Sequence, residues 1–196
     1  MSTPEIAATS PMRRFDPVKV AHLEKENWMA YYRKQWPRLM VVSISMVQEA
    51  FGLSMLRAPY GAYLVARAEM AAAPINNDIP VAERYMRRFY DMVKDIHKES
   101  YDVDEAARLE VNWWVVHRKL FGQDDKEPLV QALTELYAAT YCVPAQSVRE
   151  AAYHRAQAMV YSDKWVYEGC PDHETLLQQE QDELIASYKA LRQAVA

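Results

Sequence analysis

Residues 103–121 read VDEAARLEVNWWVVHRKLF, and their periodicity decides the fold class. Apolar residues recur three and four positions apart, as on one face of an α-helix, with no sustained strand-like alternation. Asp102 and Glu105 form an approximate capping box at the start, and Gly122 closes the segment. At about 100° per residue, Asp104, Arg108, Asn112, Val115 and Lys119 make a largely polar stripe that must face water. Ala106, Glu110, Trp114, His117 and Phe121 lie near the opposite side. A carboxylate and an imidazole are therefore expected on the buried face, two turns apart, with a tryptophan between them.

The same punctuation extends in both directions. Prolines fall mostly at first-turn positions, and three of the four glycines lie at or near helix ends. The pattern predicts helices over 16–36, 37–51, 59–73, 81–98, 102–121, 128–142, 144–167 and 172 to near the end, with a loop at 75–80. Short connections imply mostly antiparallel neighbours in a bundle. The expected organisation is a flexible segment over 1–15 followed by one all-α domain over 16–196, of about eight helices.

Composition narrows the function classes. The 196 residues are 51% hydrophobic and 26% charged, with a net charge of −4. That balance gives no electrostatic footprint for nucleic acid. No apolar run is long enough for a bilayer span. Cys142 and Cys170 form no CxxC pair and are expected to be reduced thiols, and the chain is expected in the cytoplasm. There is no glycine-rich phosphate loop and no GxSxG elbow.

In the segment 146–167, Glu150, His154, Gln157, Tyr161, Lys164 and Glu168 share one solvated face, and His154 is expected to pair with Glu150. Arg155 falls instead among Val148, Ala151, Ala152, Met159, Ser162 and Val166, with Asp163 at the edge of that stripe. A buried charge needs a partner. The expectation is that Glu110 pairs with Arg155, or with Arg67, that His117 joins the network, and that Glu69, among Ala62, Ala66 and Ala73, is a further member.

Glu110 and His117, seven apart, resemble one half of the metal-binding set of the haem-oxygenase-like di-metal oxidases. The other half in that family is His-x-x-x-Asp-x-x-His. Here the later helix offers His154 and Asp163, nine apart and on different faces, and the ferritin-like Glu-x-x-His motif is absent. The family is not assigned on this pattern. A metal-dependent oxidase with di-iron, manganese or haem remains the alternative reading, with no metal ligand and no cofactor assigned.

Aromatic residues concentrate at Trp28, Tyr31, Tyr32 and Trp36 and again at Trp113 and Trp114, as inter-helix packing or as the walls of a cavity. The last helix carries a narrow apolar stripe of Leu177, Leu184, Tyr188, Leu191 and Val195, read as a strap on the bundle or as a homodimer seam. The sequence thus points to a buried polar cluster that orients a small organic ligand or substrate. In that reading Glu110 and His117 are the catalytic candidates, and Arg155, Trp113, Trp114, Arg67 and Glu69 contact the ligand. A non-catalytic assembly protein acting through its terminal helices is the competing view.

Overall fold

A computed structural model of the protein describes residues 10–172 and 174–196, and among these the fold is all-α. A 3-10 turn at Pro11–Arg13 precedes α1 (Pro17–Tyr32), α2 (Trp36–Phe51), α3 (Ala58–Ala72), α4 (Ile79–His97), α5 (Val103–Lys119), α6 (Glu127–Tyr141), α7 (Ala145–Tyr167) and α8 (Glu174–Val195). Asp16, Asp78 and Asp102 each cap a helix by accepting from backbone N–H groups of its first turn. Helix α1 ends four residues before the expected Trp36, and Lys34 adopts a left-handed conformation. Pro37 is the reason: its ring would strike the carbonyl four residues earlier in a continuous helix, so the chain breaks and restarts with proline in a first turn.

Each helix packs on its sequence neighbours, and α8 returns onto α1, so the eight helices close into a ring. Ser187 of α8 bonds the Ala151 carbonyl of α7 while Glu183 meets His154, a pairing that runs the two longest helices antiparallel. The apolar stripe of α8 is buried within the same bundle. The strap reading therefore holds, and the surface that a homodimer through the C-terminal helix would use is already covered.

Residues 10–15, expected within a flexible segment, are packed, while residues 1–9 lie outside the described residues. Met12 and Phe15 are buried, and Arg13 donates to the carbonyls of Tyr141 (2.7 Å) and Val195 (3.4 Å). Apolar burial and satisfied backbone acceptors hold this stretch across α2, α6 and α8. No helix among the described residues is long and apolar enough to cross a membrane. Cys142 and Cys170 are free thiols.

Helix α2 is the most apolar segment of the chain, yet only Val47 in it is buried. Val47 and Gly61 are in close contact where α2 meets α3, beside the connecting loop. One face of α2 runs through Val47, Ile44 and Met40. Along that face exposure rises from 7% at Val47 through a half-buried Ile44 to 66% at Met40. Helix α2 is thus covered near its C-terminal end and open toward its N-terminal end.

Candidate functional site

The inner stripe of α3 is Ala58, Ala62, Val65, Glu69 and Ala72, spaced four, three, four and three. Its ends are buried at Ala58, Ala62 and Ala72, whereas Val65 is half-buried and Glu69 is open to solvent. Leu64 and Ala68, between those ends, are fully buried, so Val65 and Glu69 lie at the edge of a continuous buried face. Glu69 lies deep enough in the ring that burial raises its carboxyl to about 7, with the nearby Glu110 adding to the rise.

Across from it, α5 presents Glu110 and Trp114, one turn apart and both half-buried. Both Glu110 oxygens are held: Tyr90 of α4 donates its hydroxyl to Oε2 at 2.6 Å, and Trp113 donates Nε1 to Oε1 at 2.8 Å. Burial first, and then Glu110, keep the Tyr90 phenol well above its usual range, so it remains a donor. Tyr101 in turn donates to the Tyr90 carbonyl. Glu69 itself has no hydrogen-bond or ion-pair partner among the described residues.

Arg155 is buried, and its partner is Glu24 of α1, not Glu110. Nε and Nη2 both donate to Glu24 Oε1, at 3.0 and 2.9 Å, and Nη1 donates to the Tyr137 hydroxyl at 3.1 Å. Tyr188 of α8 donates to the other Glu24 oxygen. The Trp113 ring lies 4.8 Å from the guanidinium, which places one indole against both Arg155 and Glu110. Burial opposes charge on Arg155, but Glu24, Tyr137 and Tyr188 outweigh it and hold the group well above its usual value.

Arg67 is not part of this cluster. It lies on the outer face of α3, donates to the Tyr63 hydroxyl and stacks over the Tyr63 and Tyr85 rings. The i, i+4 step from Tyr63 carries it along the outer face of α3. His154 pairs with Glu183 of α8 and not with Glu150, because α8 covers that flank of α7.

His117 is buried beside Trp28 and Trp113, with ring centroids 6.0 and 6.4 Å away. Its Nε2 meets Asp163 at 3.1 Å, and Lys126 donates to the other Asp163 oxygen at 2.6 Å. Burial would raise the Asp163 carboxyl, but His117 and Lys126 outweigh it and hold it below its usual value. Glu110 and His117 thus serve separate networks. Among the described residues, no three His, Cys, Asp or Glu side chains gather to hold a metal ion.

The periodicity of 103–121 did not reach Glu24, Tyr90, Tyr137, Tyr188 or Lys126. A helical wheel on α1 finds the first, since Glu24 lies one turn beyond Val20 and Ala21 on their buried face. Lys126 precedes a helix in a loop, where periodicity carries no signal. Compared with known protein families, curated proteins and solved structures, the chain matches none.

Proposed function

We propose that this chain binds a small organic molecule in the recess between α2, α3 and α5. The observation that supports this reading is Glu69, open to solvent beside the buried face of α3 and unpartnered among the described residues, with a carboxyl that burial and Glu110 of α5 raise to about 7. Ile44, Val65 and Trp114, partly buried against the core, are the apolar residues these three helices supply, and Glu69 with Glu110 is the polar end, the combination typical of small-molecule sites. Arg155 takes no part in ligand contact here, because Glu24 and Tyr137 occupy its donors. If binding leads to turnover, Glu69 is the acid–base candidate, since a carboxyl titrating near neutrality matches that task. His117, paired with Asp163, then acts by positioning the tryptophans. The free thiols Cys142 and Cys170 fit a cytoplasmic role.

The test is a thermal-shift screen of small amines, acids, alcohols and heteroaromatics on the wild type and on Val65→Trp, which narrows the recess. Compounds that stabilise the wild type and fail on a folded Val65→Trp protein support the site. Equal stabilisation of both proteins, or none of either, removes it.

A further inference from the structure

We propose that two copies of this chain associate through the outer face of the α2–α3 hairpin, with their α3 helices antiparallel across a two-fold axis.

Helix α3 is apolar on two opposite sides. Gly61, Leu64, Ala68 and Ala72 form its buried stripe. Pro59, Tyr63, Ala66 and Met70 form a second one on the far side, spaced four, three and four. All four of these residues are exposed, Tyr63 at 49% and Met70 at 61%. A helix that is apolar all round belongs in an interior, yet among the described residues this side stays open.

The exposure is concentrated in one part of the molecule. Of the fifteen exposed large apolar side chains among the described residues, nine fall between Trp36 and Ile75, in α2, α3 and the loops beside them. The other six are scattered over α1, α4, α7 and the stretch after α5. Between Leu39 and Ala66 the chain has only two charged residues, Glu49 and Arg57, and Glu49 pairs with Lys19. Few charges together with Tyr, Trp, Met and Arg is the composition of an interface core. The aromatic anchors are already held in place, since Tyr60 and Tyr63 stack at 6.3 Å and Arg67 lies over the Tyr63 and Tyr85 rings. Ordering them on association therefore costs little.

A second copy is the occupant that these features fit. The nine side chains, each about half exposed or more, present on the order of 1,000 Å². A single monomer ordinarily leaves a largest apolar patch of roughly 300–600 Å², and a stable interface takes roughly 800 Å² from each partner. The outer stripe also complements itself when reversed. With the two-fold axis between Tyr63 and Ala66, Tyr63 of each copy lies over the small Ala66 of the other, and Pro59 meets Met70. A net charge of −4 puts little repulsion between the copies. A lipid surface fits less well, because an interfacial helix carries Lys and Arg along its polar edge and Arg57 is the only basic residue between Leu39 and Ala66. This face is separate from the C-terminal helix, whose apolar stripe the bundle itself covers.

The experiment is sedimentation velocity of the full chain over roughly 1–100 μM, a range that brackets a micromolar dimer. The expected result is a species of twice the chain mass, with a melting temperature that rises with protein concentration. Tyr63→Lys and Ala66→Glu each put a charge into the seam twice by symmetry, and each should weaken association about a hundredfold or more. Circular dichroism checks that both variants keep the fold. Mixing the two should restore a dimer, because one half of the antiparallel seam then brings opposite charges together while the other keeps Tyr63 over Ala66. Tyr153→Glu, at a half-exposed position on α7, should leave association unchanged. A monomer at every concentration overturns the proposal, and its co-sedimentation with phosphatidylcholine vesicles, lost in Ala66→Glu, would assign the face to lipid instead. A dimer that survives both substitutions puts the contact elsewhere. A mixture that stays monomeric overturns the antiparallel seam.

Discussion

Glu24 and Arg155 are joined by two hydrogen bonds from one guanidinium to one carboxylate oxygen, at 3.0 and 2.9 Å, across the middle of the helix ring. The pair ties α1 to α7, and Tyr188 and Tyr137 bring α8 and α6 onto the same two groups. The first helix and the last three thus meet at one ion pair, with the Trp113 ring packed against it.

Breaking this pair on one side should be costly. Either Glu24→Gln or Arg155→Met leaves a buried group without its countercharge, and each is expected to lower stability by about 3–5 kcal/mol. The double variant should lose less than the sum of the singles, because neither orphaned charge remains. Urea unfolding of the three proteins measures this. Single variants that each cost under about 1 kcal/mol would show that the pair is not what holds α1 to α7.

Much of this centre is legible in the sequence, and the illegible part has a physical cause. The inward position of Arg155 follows from Val148, Ala151, Ala152 and Met159, whose spacing leaves one buried face on α7. The same reasoning puts Glu110 and His117 inside. Periodicity says which way a side chain points along one helix, but not which other helix it meets. Arg155 therefore seemed to pair with Glu110, when the ring closure through α8 brings Glu24 to it instead. The stripe of α8 was equally visible as a pattern, while its choice between strap and dimer seam depends on that same closure. Glu69 lies at the edge of the buried face of α3, and its exposure depends on the packing of neighbouring helices, which the periodicity of one helix does not carry.

Glu180 predicts a falling stability with rising pH. It is buried on α8 with Oε1 unpartnered, and burial, with a lesser push from Glu24, raises its carboxyl to about 8 from 4.5. Below pH 4.5 both folded and unfolded chains hold the proton. Between 4.5 and 8 only the folded chain does, so it binds more protons and stability drops as pH increases. Glu180→Gln should remove this slope and stabilise the protein by roughly a few kcal/mol at pH 8.5. Urea midpoints of wild type and variant at pH 5 and 8.5 provide the comparison, and parallel pH profiles would refute the assignment.

Asp163 works with the opposite sign. His117 and Lys126 hold its carboxyl below the usual value, so its contribution is complete above that value and is lost as the pH falls through the lower folded one. Lys126→Met removes the closer of the two partners, at 2.6 Å. The variant is expected to lose about 3 kcal/mol at neutral pH, as for one broken buried pair, and to lose less of its remaining stability on acidification than the wild type. Acid unfolding followed by circular dichroism reads both effects, and an unchanged acid transition counts against the Lys126–Asp163 bond.

Gly52 tests whether residues 10–15 belong to the folded core. It ends α2 in a left-handed conformation, with φ at 61°. A β-carbon there would come within 2.5 Å of Pro11 Cβ and 2.9 Å of the Pro11 carbonyl carbon. Gly52→Ala therefore combines backbone strain of about 1 kcal/mol or more with displacement of the 3-10 turn. That displacement should carry Met12 and Phe15 out of their buried sites and release Arg13 from the Tyr141 carbonyl. Faster amide exchange at residues 12–15 together with a lowered melting temperature is the expected signature. Were the turn only resting on the surface, the same substitution would leave exchange at Phe15 unaltered and cost no more than the strain.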